Sequence, residues 1–345
     1  MKKTLKHRAA PLFLLVVIAA TFAACRKTPV KNSPGPIIIP TPISLGKWQK
    51  VATIPDAQTR VLEVADNKLY AAGISGIVYS TADGQNWTAS GTIANAGAIT
   101  ALTVFKNKLY AGTEINGIFA SDNGGQTWTN SNPTLLEASS FALLNDTLYS
   151  ASAAVSGIEV YDETRNRWSA FKNGLPTNYN LDVQKLLQIN NTLFSVQGEN
   201  GNFYVYNKRS KQWTEEYFFG ASYTPGLRVN DMLEDAGVLY AAYDDAVLNS
   251  QNAGVYWSYD TVGLKRGPNT FAKRVIYAGT DNYYTVHNTG NDETWVQQRN
   301  RAAQPGSTWA TGQEHLPIGP TYQIREFNGM IFLATDHGIY FKPLH

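Results

Sequence analysis

Two stretches of the chain, Asn67–Trp87 (NKLYAAGISGIVYSTADGQNW) and Asn107–Trp128 (NKLYAGTEINGIFASDNGGQTW), line up almost residue for residue. Both open on Asn-Lys-Leu-Tyr and both end on Trp. Between these marks lie short β-branched and aromatic runs cut by Gly, Asn and Asp, as in strands joined by tight turns. Looser copies end at Trp168, Trp213, Trp257 and, with an insertion, Trp309. The aromatic that follows each Leu-type residue is Tyr70, Tyr110, Tyr149, Phe194, Tyr240, Tyr284 or Phe332, at spacings of 40, 39, 45, 46, 44 and 48. Phe332 has no Trp after it, and the first Trp, Trp48, has no such aromatic before it, so one repeat is split between the two ends of the chain.

A unit of this size with four short strands has the dimensions of a propeller blade. In the second repeat the strands are expected at Ile99–Phe105, Lys108–Thr113, Gly117–Ala120 and Thr127–Asn130. The pattern predicts an all-β fold, a seven-bladed β-propeller of four-stranded blades, closed by pairing the N-terminal strand with the C-terminal blade. Closure has a physical cause: an open stack of sheets leaves two apolar end faces in water, and joining them buries both.

Composition agrees. Among 345 residues, Tyr (19), Trp (8) and Gly (28) are abundant and charged residues are only 16%, which fits strands and turns better than helices. A single Cys and five scattered His exclude a disulfide scaffold and a zinc ribbon. The Gly-rich run Gly198–Asn202 is turn material with no helix after it to cradle a phosphate. No cofactor and no metal site are expected.

Residues 1–24 have a cationic start (Lys2, Lys3, Lys6, Arg8) and then nine apolar residues, Leu12–Ala20, too short to span a bilayer. This is a secretory signal. Its end, Phe22-Ala23-Ala24-Cys25, resembles the lipobox of bacterial lipoproteins, which implies acylation of Cys25 as the mature N-terminus. A plain signal peptide with an incidental Cys is the other reading. Residues 25–45 hold five of the 15 prolines and read as an extended tether, leaving 46–345 for the propeller. Arg26, with no acidic residue behind the Cys, implies by the sorting rule of such lipoproteins an outer-membrane place in the bacterial cell envelope. Loss of the signal's four cations leaves 25 Lys and Arg against 27 Asp and Glu, so no basic field points to nucleic acid. A monomer is expected.

Ser121-Asp122-Asn123-Gly124-Gly125-Gln126-Thr127-Trp128 resembles the Asp-box, or BNR repeat, of sialidase-like propellers. Ser250, Asn252, Gly254 and Trp257 keep its spacing. Ser80, Gly84 and Trp87 do so too, with Asp83 one place later than the pattern. The box also occurs in sortilin-type receptors and photosystem assembly factors, where it is a structural turn on the ring's periphery, so the resemblance carries the fold and not the chemistry.

Candidate chemistry lies at the axis. Arg60, Arg228 and Arg325 stand at the starts of blades one, five and seven, where converging guanidiniums can clamp a carboxylate and isolated ones are merely solvated. The sialidase family's Arg-Ile-Pro motif is replaced by Thr59-Arg60-Val61, and its Tyr–Glu nucleophile pair has no counterpart. Carboxylates for glycoside chemistry would come from Asp56, Glu63, Glu137, Asp182, Asp231 and Glu326. His287, His315, His337 and His345 lack ligand spacing. Trp295 reads as interblade core, with a ligand platform as the alternative.

The run from a repeat's Trp to the next aromatic is 21–23 residues at four entries but 26 or 27 at blades four, five and six. Those longer entries hold Tyr179, Asn180 and Asp182, then Tyr217, Phe218, Phe219, Tyr223 and Arg228, then Lys265 and Arg266. Phe218 and Phe219 are expected to pack their loop down. Ligand binding is expected on this axial face, at Tyr179, Asn180, Asp182, Tyr223 and Arg228, with Arg60 and Arg325. The function expected is that of a cell-envelope lipoprotein binding or scaffolding a protein or glycan partner. The alternative is a sialidase-like or other glycan-processing enzyme. An assembly factor for a membrane complex shares the same surface logic.

Overall fold

The computed structural model describes residues 47–344 apart from 56, 153–156, 177–182, 198–201, 219–228, 244–245, 265–273, 289–293 and 317–318. These residues form seven four-stranded antiparallel sheets, the blades of a propeller. The innermost strands are Thr59–Ala65, Ile99–Phe105, Ser140–Leu144, Val183–Ile189, Val229–Asp235, Arg274–Ala278 and Thr321–Phe327.

Local chemistry sets each inner hairpin. Asp66-Asn67, Lys106-Asn107, Asn145-Asp146, Asn190-Asn191, Ala236-Gly237 and Asn328-Gly329 all have positive φ at both positions. Two-residue turns of that hand match the twist of the strands they join, and Asn, Asp and Gly tolerate them best. Each such turn fixes the register that follows. The repeat aromatic then always lies opposite the inner-strand residue seven places before it, as in Glu63 with Tyr70 and Arg325 with Phe332.

The core is not one mass but seven apolar clusters, one at each blade–blade junction. Each repeat-ending Trp packs into the junction with the preceding blade. Trp87 sits with Phe327, Met330 and Phe332 of blade seven, and Trp257 with Phe194 and Phe203 of blade four. Several indoles also donate across the junction: Trp128 to the Gly91 carbonyl (3.1 Å), Trp168 to Ser131 Oγ (3.0 Å) and Trp213 to the Phe171 carbonyl (2.8 Å). In these slots the buried N–H finds a partner, whereas the Trp48 and Trp87 indole N–H groups have none among the described residues.

The ring closes as expected from the split repeat. Gln49 and Lys50 pair with Phe341 and Tyr340 as the outer strand of blade seven, and the Val51 N–H continues the ladder to the Ile339 carbonyl at 2.9 Å. Trp48 joins the cluster between blades six and seven, so it too packs against the blade before its own.

The peripheral turns show one difference from the sequence reading. In the second blade Ser121 Oγ bonds to Asn123 Oδ1 (2.9 Å) and accepts the Gly125 N–H (2.8 Å), and Asn123 Oδ1 accepts the Thr127 N–H (3.0 Å). Ser250, Asn252 and Gly254 repeat this, with the Tyr256 N–H in the last place. In the first blade the hydroxyl is Thr81, not Ser80. Thr81 donates to Asp83 Oδ1 (2.9 Å) and accepts the Gly84 N–H (2.9 Å). Thr81 lies opposite Leu69 just as Ser121 lies opposite Leu109, so Asp83 is in its proper place and the turn is one residue shorter. Gly84, at φ 81°, also leaves room that a side chain would take from Met330.

Candidate functional site

Inner strands of all seven blades line an axial cavity of ≈ 440 Å³. The hairpin register explains which side chains reach it. Of the residues seven before each repeat aromatic, Glu63, Leu187, Leu233, Tyr277 and Arg325 line the cavity. Blades six, seven and one therefore present Tyr277, Arg325 and Glu63 side by side, a polar arc. Blades three, four and five present the apolar Phe141, Leu187, Ile189 and Leu233, with Lys185, Gln188 and Glu234 among them.

Two residues earlier, on blades three, four, five and seven, the polar side chains Ser140, Lys185, Asp231 and Gln323 knit blade to blade. Inner-strand N–H groups point along the ring rather than into a sheet, and need acceptors. Gln323 Oε1 accepts the Leu62 N–H (2.9 Å), Ser140 Oγ the Leu186 N–H (3.1 Å) and Asp231 Oδ2 the Ile276 N–H (3.1 Å). Asp231 is 5% exposed; its Oδ1 also takes the Met232 N–H (2.9 Å) and an ion pair with Lys185. The Lys185–Asp231 pair is thus internally satisfied.

Glu63 is half-buried, and burial raises its carboxyl above the usual range, while Arg325 and Lys185 pull it back down. A carboxyl raised in the fold adds stability only below its unfolded value, and that contribution disappears as pH rises through the folded value. Glu63→Gln should therefore gain in melting temperature over the native protein as the buffer goes from pH 4 to pH 8. A difference that shrinks over that range would refute the assignment.

The sequence candidates separate. Arg325 is in the cavity wall, over the Tyr277 ring at 5.6 Å. Arg60 is not. It occupies a β-bulge between Thr59 and Val61, where it donates to Gln58 Oε1 (2.5 Å) and reaches Glu114 at 3.5 Å. A bulge inserts a residue and re-aims its side chain, so alternation counted along the strand misplaces Arg60. Tyr179, Asn180, Asp182, Tyr223 and Arg228 lie outside the described residues, as do Asp56, Phe219, Lys265, Arg266 and Cys25. Phe218 is 1% exposed between Phe203 and Trp257, the packing role expected of it. Glu326 accepts the Thr280 N–H at 2.6 Å. Trp295 lies on the third strand of blade six and is not among the described members of either flanking cluster; Trp309 fills the slot against blade five. Among the described residues no group of three His, Cys, Asp or Glu is placed to hold a metal. Sequence reasoning passed over Lys185, Gln323 and Tyr277, although their offsets from the repeat aromatics mark them.

A family model described as DUF6242 beta propeller domain matches residues 38–156. No curated protein matches the chain. Among solved structures, the extracellular domain of BT4673 from B. thetaiotaomicron aligns at 15% identity and TM-score 0.64 over 86% of this chain; the alignment spans 39% of that domain's length. YCF48 bound to D1 peptide aligns at 15% identity and TM-score 0.63, over 86% of this chain and 94% of that one. A catalytically inactive variant of virginiamycin B lyase from Staphylococcus aureus, solved with quinupristin, aligns at 12% identity and TM-score 0.66, over 86% and 98%. At these identities the likeness is one of fold, and what it establishes is a β-propeller.

Proposed function

We propose that this chain is a binding propeller of the bacterial cell envelope, held to the membrane through acylated Cys25, which takes a protein segment or a glycan at its axial face. One observation carries the reading: seven inner strands converge on a cavity whose wall combines a polar arc, Tyr277–Arg325–Glu63, with the apolar Phe141, Leu187, Ile189 and Leu233. An apolar pocket with a few convergent polar groups is the usual form of a ligand site. Propellers of similar fold include one solved with a peptide bound and one that is an extracellular domain, which is the company such a role would keep. The turns at Thr81–Trp87, Ser121–Trp128 and Ser250–Trp257 are read as Asp-boxes whose bonds are spent inside the turn, so they serve the scaffold.

The glycan-processing alternative needs two carboxylates set for acid and base work. In the described wall Glu63 is available, whereas Glu234 accepts the Gly237 N–H of its own hairpin at 2.7 Å. Asp231, beside the wall, is committed to Lys185, Met232 and Ile276. Binding therefore fits the described geometry better than hydrolysis does.

Screening envelope glycans and peptides against the protein should yield a ligand that Arg325→Gln weakens with little change in melting temperature. Tyr179→Ala with Tyr223→Ala should weaken it as well. A ligand indifferent to all three, or lost only on changing Asn123 and Asn252, would place binding elsewhere. For the anchor, mass spectrometry should find an acylated N-terminal Cys25, and Cys25→Ala should move the protein from the membrane to the soluble fraction. Unchanged membrane association in that variant would dismiss the lipid.

A further inference from the structure

The polar arc holds two charged groups with unused bonding capacity. Glu63 and Arg325 occupy the same register position on adjacent blades, across the seam where the ring closes. They sense each other electrostatically, yet no ion pair joins them. Arg325 Nη1 donates to the Ile324 carbonyl at 2.8 Å, and Tyr277 backs the guanidinium. Among the described residues, nothing accepts from its Nε or Nη2, and nothing donates to the Glu63 carboxylate. Lys185 differs, being spent on Asp231.

A half-buried carboxylate and guanidinium left open in one cavity favour a guest that bonds to both. An anion would meet Glu63 as a like charge, and a cation would meet Arg325. A neutral sugar would leave both groups without a charged hydrogen-bond partner. A zwitterion satisfies the two together through charge-assisted hydrogen bonds. Elsewhere in the wall Phe141, Leu187, Ile189 and Leu233, which share it with Lys185, Gln188 and Glu234, offer an apolar surface to whatever projects from the charged end. At ≈ 440 Å³ the cavity is within the roughly 300–1,000 Å³ of small-molecule sites.

We propose that the axial cavity binds a small apolar zwitterion, a free apolar amino acid or short apolar peptide, with its carboxylate on Arg325, its ammonium on Glu63 and its side chain on the Leu187–Leu233 wall. This rests on the reading of the axial cavity as the ligand site.

The test is calorimetric titration of the full-length protein with L-leucine, L-leucyl-L-leucine, N-acetyl-L-leucine, which lacks the ammonium, and L-leucinamide, which lacks the carboxylate. Leucine or its dipeptide should bind, and each analogue should be weaker by about tenfold or more. Glu63→Gln should weaken the zwitterion by a similar factor and leave N-acetyl-L-leucine no weaker, since it removes a like charge from that anion. Arg325→Gln should weaken the zwitterion and leave L-leucinamide no weaker, since it removes a like charge from that cation. Should either variant melt early, the analogue series on the native protein decides alone. Equal binding of zwitterion and analogues overturns the proposal, as does binding indifferent to both substitutions or no zwitterion binding up to about 10 mM. A glycan or longer peptide that binds, and loses affinity on Arg325→Gln, while leucine and its dipeptide do not, overturns the zwitterion and leaves the axial site standing. If no ligand responds to Arg325→Gln or Glu63→Gln, both fall.

Discussion

Asp260→Ala should lower the stability of the propeller by about 3–5 kcal/mol, the cost of leaving a buried charge without its partner. Asp260 and Arg299 are 0% and 1% exposed, and Arg299 Nη1 reaches both carboxylate oxygens at 2.7 Å. The pair joins the outer edge of blade five to the third strand of blade six. Tyr240, Tyr283 and Trp309 surround the guanidinium at 5.7, 5.3 and 4.4 Å, a cage in which cation–π attraction replaces some lost hydration. The Trp309 indole adds a bond to the Asp260 carbonyl at 3.2 Å. Remove the carboxylate and the guanidinium stays, desolvated, in an aromatic box. The double variant Asp260→Leu with Arg299→Met should recover much of the loss, because it leaves neither charge behind. Thermal unfolding would show the single change as a fall of roughly 6–15 °C. A single variant within about two degrees of the native protein, or a double one that melts lower still, would remove the pair from what holds blades five and six together.

Blade count and closure were legible in the chain because a propeller repeats its own grammar. In the second blade the first two strands lie at Ile99–Phe105 and Lys108–Thr113, as expected. The third and fourth, Ile118–Ser121 and Thr129–Asn132, start one and two residues later. Trp128 explains the latter: it sits before the outer strand and turns toward the preceding blade. The Thr81 hydroxyl was missed for a related reason, since counting back from Trp87 cannot reveal a shortened turn, whereas cross-strand register does.

The site was less legible, for a physical cause. Long entry loops drew attention to Tyr179, Tyr223 and Arg228, which lie outside the described residues. Cavity-lining residues depend on pairing alone. Glu63 and Arg325 are each seven residues before a repeat aromatic, while Arg60 is ten before Tyr70, so the two arginines never shared a level of the channel. The offset was readable from the seven aligned repeats once each hairpin was known to be a two-residue turn. What no offset could reveal was the division of labour among the charges, with Lys185 and Asp231 satisfied and Glu63 and Arg325 left open.

Phe332→Ala should cost about 3–5 kcal/mol by the cavity it leaves, and more of the damage should appear at one place than for a comparable change elsewhere in the ring. Phe332 is 0% exposed, packed edge-on against Trp87 at 6.1 Å and stacked with Phe341 at 5.8 Å. It belongs to the cluster between blades seven and one, with Val51, Ile54 and Leu62. In the other six blades all four strands follow one another along the chain, so the backbone itself ties each blade to the next. Blade seven is the exception. Its outer strand, Gln49–Lys50, leads on into blade one and is held to blade seven by two residues of pairing, the Val51 bond, the apolar cluster behind them and the packing of Trp48. Phe194, the equivalent aromatic of blade four, is similarly buried at 5% but belongs to a blade built from one continuous run of chain. Both substitutions to Ala should lower the melting temperature. Only Phe332→Ala should release the N-terminal strand early, so that limited proteolysis cuts first between residues 47 and 58. Opening would also leave sheet edges and apolar flanks free to associate, and the variant should aggregate sooner on heating. Equal protection of residues 47–58 in the two variants would mean that the seam is no weaker than the other six junctions, and that closure depends on Gln49–Val51 rather than on the aromatic cluster behind them.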